Sequence, residues 1–183
     1  DPYAMAVGAV DEAVRQVVAC GADPERIALL DNFCWGDTSD PAQMGALVRA
    51  AEGCRDAAVA LRAPFVSGKD SLHNATDGVS IPPTLLVTAL GIVWDVRRAV
   101  SMDGKGAGHR VGIVGPTVPG LGGSELLRLL GAGPDRVPML DPARSREIFA
   151  RLHGAILAGW IRACHDVSDG GVAAAAAEMA FAG

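Results

Sequence analysis

The side chains able to do chemistry gather where apolar runs end. Ser67-Gly68-Lys69-Asp70-Ser71 combines close backbone approach at glycine, a cation for phosphate at Lys69 and a carboxylate for magnesium at Asp70. The four-residue gap and second glycine of GxxxxGK[ST] are absent, which excludes a P-loop. Asp31-Asn32 also leaves a short strand, and ligands of α/β sheets collect at the carboxyl ends of strands. A turn closed by an Asx hydrogen bond accounts for the same two residues. Glu12 and Gln16 stand four apart in a helical pattern, so their oxygens project from one face, to reach an ion or to form a solvated surface. In His165-Asp166-Val167-Ser168-Asp169-Gly170-Gly171, Asp166 and Asp169 could hold magnesium, or Ser168 or Asp169 could cap the helix that follows. Leu121-Gly122-Gly123-Ser124-Glu125 opens a helix that favours an anion, or carries a plain serine N-cap. Together these signals point to acidic and amide ligands for a magnesium nucleotide.

These clusters need elements to hold them. Ala6, Val7, Val10, Ala13, Val14, Val17 and Val18 recur at helical spacing and predict a helix over 6–20, stopped by Gly21-Ala22-Asp23-Pro24. Ile27 to Leu30 reads as a short strand that delivers Asp31-Asn32-Phe33 to a loop. Met44, Leu47, Val48, Ala51, Cys54, Ala58 and Leu61 predict a helix over 42–62, and Phe65-Val66 a strand. From Thr84 to Val96 the run is continuously apolar, as in a strand covered on both faces. The order α-β-α-β-β is that of a layered α/β domain. Residues 99–109, with three glycines, break all periodicity and divide a domain over 1–98 from a second over 110–183. In the latter, Arg110 to Gly115 predicts a strand and Ser124 to Leu130 a short helix. Asp141-Pro142 opens a helix on Ile148, Leu152, Ile156 and Trp160. Ala173 to Ala182 reads as a helix whose apolar face lacks a neighbour. With no initiator Met, the sequence reads as an internal piece of a longer protein, whose exposed faces favour aggregation or dimerisation.

Composition removes several classes of function. Sixteen basic against 21 acidic residues leave a formal charge of −5, without the basic footprint that grips a phosphate backbone, so nucleic acid is not the expected partner. No apolar run reaches the roughly 18 residues of a membrane span, and the start lacks a basic region followed by an apolar one, so no signal peptide is expected. Four scattered cysteines form no CxxC pair or zinc spacing and read as reduced thiols of a cytoplasmic protein. Cys164-His165-Asp166 spells a catalytic triad, but adjacent side chains diverge and cannot align as one.

Several longer motifs stand in order along the chain. Asp1-Pro-Tyr-x-Met-Ala, Asp11-Glu-Ala-Val-Arg, Gly21-Ala-Asp-Pro, Leu30-Asp-Asn-Phe-Cys-Trp-Gly, Pro64-Phe-Val-Ser-Gly-Lys-Asp-Ser-Leu-His-Asn, Ile81-Pro-Pro-Thr-Leu-Leu, Leu121-Gly-Gly-Ser-Glu, Cys164-His-Asp-Val-Ser-Asp-Gly-Gly and Ala177-Glu-Met-Ala-Phe-Ala-Gly resemble the phosphoribosylformylglycinamidine synthases. The resemblance implies two α/β domains of the aminoimidazole ribonucleotide synthetase-like type, the second incomplete, in the second of two pseudo-symmetric halves that share a central barrel. It implies an ATP-dependent ligase of purine biosynthesis, in which formylglycinamide ribonucleotide is activated as an iminophosphate that glutamine-derived ammonia displaces. ATP and Mg2+ would be its cofactors, and a glutaminase domain or subunit and the other half of the synthetase its partners. Carried over by position, nucleotide contact falls at Asp31, Gly68 and Lys69, substrate contact at Ser71, and magnesium ligation at Glu12, Gln16 and Asp166. Gln16 stands where Asn is usual, and Lys69 where many relatives have a metal-ligating Asn. An ammonium cannot ligate a cation, so Lys69 is expected on phosphate. The family's catalytic histidines and glutaminase cysteine lie outside this stretch. The alternative is a non-catalytic module whose auxiliary nucleotide holds the halves together; selenophosphate and aminoimidazole ribonucleotide synthetases share the domain plan but not these motifs.

Overall fold

Aspartate followed by proline starts each of the three long capped helices. In the computed structural model, which describes residues 1–132 and 136–183, α1 (Pro2–Ala19) begins with the Asp1 carboxylate accepting from the Tyr3 amide at 3.0 Å. Helix α2 (Pro41–Leu61) begins with Asp40 accepting from Ala42 at 2.9 Å. The third such start opens Pro142–Leu157, where Asp141 accepts from Ala143 and Arg144. Proline supplies a preset φ where no amide hydrogen is needed, and the carboxylate satisfies amides that the first turn leaves free.

Between them run β1 (Ile27–Cys34), β2 (Phe65–Ser71), a small hairpin of β3 (Ala75–Thr76) and β4 (Val79–Ser80), and β5 (Thr84–Gly91). The main sheet has the order β2-β1-β5, with β1 parallel to β2 and antiparallel to β5. The parallel pair needs a crossover, which α2 provides. After a 3-10 turn at Val96–Arg98 come α3 (Glu125–Leu129), α4 (Pro142–Leu157) and α5 (Gly171–Ala182).

One face of the sheet carries the core. Leu29 and Phe33 of β1 meet Val10, Val14 and Val18 of α1, Cys54, Ala57 and Leu61 of α2, and Phe149, Leu152 and Ile156 of α4. Helices α1 and α2 approach so closely at Gly53 that a Cβ there would lie 2.6 Å from the Tyr3 carbonyl oxygen. Helix α4, though it follows the 99–109 segment, thus packs its apolar stripe into the same core as the first layer.

Three sequence expectations are corrected. Thr84–Val96 is not a strand covered on both faces: β5 ends at Gly91 and alternates, with Leu86 (59%) and Leu90 (66%) exposed. The reason is that helices pack on one side of this sheet, so its other side is open. Arg110–Gly115 forms no strand; Val111, Ile113 and Val114 are exposed and have no neighbouring strand among the described residues, without which an extended run gains no ladder bonds. Asp31-Asn32-Phe33 belongs to β1 itself, not to a loop after it. The β3–β4 hairpin was unforeseen, although its turn is Asp77-Gly78, both at positive φ, a strong hairpin signal.

Candidate functional site

Asp31 and Gly68 are register partners on adjacent parallel strands. A Cβ on Gly68 would overlap Asp31 Oδ1 and lie 2.8 Å from its Cγ, so the carboxylate occupies the space that glycine leaves. Only glycine at 68 permits this placement. Burial pushes the Asp31 carboxyl above its ordinary pKa and the charge of Asp70 adds to the rise, while the Lys69 backbone N–H, which donates to it, opposes both. A carboxyl whose folded pKa is raised costs stability as pH climbs through the carboxylate range. Asp31→Asn is therefore expected to raise the melting temperature at pH 7 and to leave it unchanged near pH 3; a lower melting temperature at pH 7 would contradict the assignment.

Strand alternation divides the sequence-predicted residues between the two faces of the sheet. Asp31 shares its face with buried Leu29 and Phe33, and so does Gly68 opposite it. Lys69 and Ser71 stand on the open face, where Lys69 Nζ donates to Ser71 Oγ, in register with Asn32 and Cys34. Lys69 thereby serves both faces, its backbone on Asp31's side and its ammonium on the other.

The strand ends are tied together just beyond these residues. The Trp35 amide donates to the Ser71 carbonyl at 2.8 Å, and the Asn74 amide to the Trp35 carbonyl at 2.9 Å. Trp35 is fully buried, tilted against Phe33, and its Nε1 donates to the Gln43 carbonyl at 3.0 Å. Sequence reasoning missed the neighbouring cluster of His73, whose Nδ1 lies 3.0 Å from Asp37 Oδ1 and Nε2 3.2 Å from Thr38 Oγ1. The Ser39 amide and hydroxyl, then His73, hold the Asp37 carboxyl below its ordinary range. No spacing rule joins residues 37 and 73, because the parallel register of β1 and β2 brings them together.

Glu12 and Gln16 lie on the outer side of α1, half-buried and exposed respectively. Cys20 continues that stripe one turn on. The Val100 amide donates to the Cys20 carbonyl at 3.1 Å and the Cys164 amide to the Ser101 carbonyl at 3.2 Å, which brings the segment leading to Asp166 toward the C-terminal end of the stripe. Asp166 Oδ2 is buried without a hydrogen-bond partner, which leaves it free to ligate a cation. Among the described residues no three His, Cys, Asp or Glu side chains converge as a metal site, but the expected set contains only two such residues and an amide.

The remaining motifs resolve structurally. Ser124 Oγ caps α3, accepting from Leu127 at 3.4 Å, and α5 starts at Gly170 with no side-chain cap from Ser168 or Asp169. The Cys164-His165-Asp166 triad is not assembled, since His165 Nε2 is engaged by Glu178 at 2.8 Å. All four cysteines are free. Burial, with the charge of Asp31, pushes the Cys54 thiol up to about 12. Alkylation at pH 8 is therefore expected at exposed Cys20 long before Cys54, read by peptide mass spectrometry; comparable rates would contradict this packing.

Comparison with known proteins decides the family. The AIR synthase related protein N-terminal domain matches residues 1–93 and the corresponding C-terminal domain residues 106–183. The chain belongs to the AIR synthase related family. It is similar to the phosphoribosylformylglycinamidine synthase subunit PurL of Rhodospirillum rubrum, 40% identical over 188 residues that cover 100% of this chain and 25% of that protein. The PurL subunit of Caulobacter vibrioides is 40% identical over 183 residues, covering 100% and 24%. The chain spans about a quarter of the length of these curated relatives. T. maritima PurL complexed with AMPPCP is 31% identical, with a TM-score of 0.48 over 56% of this chain and 17% of that one. As an AIR synthase related protein the chain is mixed α/β, and among its described residues no helix is long and apolar enough to cross a membrane.

Proposed function

We propose that this chain supplies one wall of the nucleotide and substrate site of a phosphoribosylformylglycinamidine synthase, an ATP-dependent carbon–nitrogen ligase of purine biosynthesis. The observation that carries the reading is the Asp31–Gly68 register pair on two parallel strands, with Lys69 and, at the carboxyl end of β2, Ser71 following it. The 40% identity to PurL subunits along the whole chain supports the same reaction class.

On this reading the amide oxygen of formylglycinamide ribonucleotide takes the γ-phosphoryl group of ATP and ADP leaves. Glutamine-derived ammonia then displaces phosphate from the activated carbon to give the amidine. Asp31 accepts hydrogen bonds from the nucleotide, Gly68 leaves room for the Asp31 carboxylate, Lys69 offsets phosphate charge and Ser71 contacts the substrate. Positioned cations and donors of this kind stabilise a transferring phosphoryl group and align it with its acceptor. Glu12, Gln16 and Asp166 would hold magnesium, which when bound supplies further positive charge to phosphate. The rest of the synthetase and a cytoplasmic glutaminase are the partners this requires. The 183-residue chain is accordingly expected to turn over no ATP by itself; turnover near that of a full-length synthetase contradicts the proposal.

The test is calorimetric titration of ATP and of formylglycinamide ribonucleotide into the full-length synthetase carrying this segment. Asp31→Ala is expected to weaken ATP by about tenfold to a hundredfold, the worth of a charge-assisted hydrogen bond. Ser71→Ala is expected to weaken the ribonucleotide and spare ATP. Unweakened ATP binding by folded Asp31→Ala overturns the assignment. The unpartnered Asp166 Oδ2 favours a second reading for the α1 stripe, an auxiliary nucleotide that joins the halves. In that case Asp166→Ala loses heat stability while keeping most of its rate.

A further inference from the structure

Helix α5 carries one charged side chain, Glu178, on an otherwise apolar run. Glu178 Oε2 lies 2.8 Å from His165 Nε2, and the other ring nitrogen, Nδ1, lies 3.3 Å from Asp166 Oδ1. The imidazole is only 16% exposed, so it stands between the two carboxylates with little freedom to turn. Asp166 Oδ1 is thus engaged, while Oδ2 is buried with no hydrogen-bond partner, a state that costs stability unless a ligand satisfies it. The backbone delivers this group to α1. Segment 99–109 is tied to the end of α1 by the Val100 amide on the Cys20 carbonyl, to the approach of His165 by the Ser101 carbonyl on the Cys164 amide, and to α5 by the Gly104 amide on the Met179 carbonyl at 3.1 Å. The His165–Glu178 contact therefore joins two pieces of chain that are already anchored to the same short stretch.

We propose that His165 and Glu178 are positioning residues that hold the Asp166 carboxylate so that Oδ2 is left for a divalent cation. The inference rests on the proposed function, which makes Asp166 a magnesium ligand, and adds to it the two side chains that orient that ligand. Carboxylate oxygens only accept, so an N–H at Nδ1 engages Oδ1 and stops the carboxylate from spinning about its Cβ–Cγ bond. Glu178 acts on Asp166 only through the ring, by fixing its orientation from α5. Outer partners of this kind set metal affinity by about tenfold to a hundredfold, because a ligand that must be ordered on binding loses part of its contribution.

The test uses the full-length synthetase carrying this segment, freed of metal by chelation. Mn2+, standing in for magnesium, is titrated in the presence of ADP and its free fraction is followed by electron paramagnetic resonance. Asp166→Ala is expected to lose one class of Mn2+ site. His165→Ala is expected to weaken that site about tenfold, and Glu178→Ala by a similar factor. Glu178→Gln is expected to retain it, since the glutamine carbonyl also accepts from Nε2. The two losses do not add: Glu178→Ala costs nothing further once His165 is already alanine. Residues that served only to pack α5 would lower the melting temperature and leave Mn2+ affinity as it was. The Glu178 side chain is 54% exposed, so its variants report on the clamp even where His165→Ala fails to fold. Unchanged or tighter Mn2+ binding by folded His165→Ala or Glu178→Ala, with the site lost in Asp166→Ala, overturns the positioning inference and leaves the proposed function standing. Full Mn2+ binding by folded Asp166→Ala overturns the magnesium ligation proposed for Asp166 and the inference with it.

Discussion

Replacing Gly68 by alanine is expected to weaken nucleotide binding sharply without unfolding the protein. The three atoms nearest the added Cβ all belong to the Asp31 carboxylate, so the short side chain must swing away and the strand can stay. β2 keeps its ladder to β1, since alanine adopts extended backbone as readily as glycine. The displaced carboxylate loses the Lys69 amide and its place beside Gly68. A loss of about tenfold to a hundredfold in ATP affinity follows from one charge-assisted contact. The decisive comparison is a double-mutant cycle in the synthetase. If Gly68 acts by seating Asp31, alanine at 68 costs nothing further once Asp31 is already alanine. An additive loss in the double variant would place Gly68 against the ligand directly.

The largest expected loss of stability is at Trp35. Its ring is fully buried at the end of β1, against Phe33, and its indole N–H satisfies the Gln43 carbonyl of α2. Trp35→Ala leaves a cavity and an orphaned carbonyl, a cost of about 3–5 kcal/mol. That is a large part of the about 5–15 kcal/mol by which proteins of this kind are stable. Trp35→Phe fills most of the space and loses only the hydrogen bond, about 1–3 kcal/mol. Urea denaturation followed by far-ultraviolet circular dichroism should place the two variants in that order. Equal midpoints for Trp35→Ala and the unsubstituted protein would show that the ring does not hold the strand to α2. Because Trp35 also bridges Ser71 and Asn74 through its backbone, ribonucleotide affinity is expected to fall in Trp35→Ala while that of Trp35→Phe is retained.

Much of the architecture was legible because it is written locally. The valine stripe of α1, the Asp141-Pro142 start and the glycine at 21, with φ near +100°, are decided within a turn or two of the residues concerned. The motifs around Asp31 and Gly68 were legible as a resemblance, since their order and composition survive without knowledge of register. The Asp77-Gly78 hairpin is equally local, its turn set by two adjacent residues at positive φ. The mistaken strand at 110–115 had the right apolar content, but a strand exists only with a partner, and nothing within that segment says whether one is there.

Residue types and spacing therefore determined which helices form, and the order of the motifs pointed, through the resemblance, to the side chains of β1 and β2 that the proposed site uses. They could not say that Asp31 and Gly68 face the helices while Lys69 and Ser71 face the open side, nor that His73 would meet Asp37. Those relations depend on pairing between strands more than thirty residues apart and on which face of the sheet the helices cover. A one-residue change of register would exchange every pair between faces, so the face on which each of these residues stands is a property of tertiary packing.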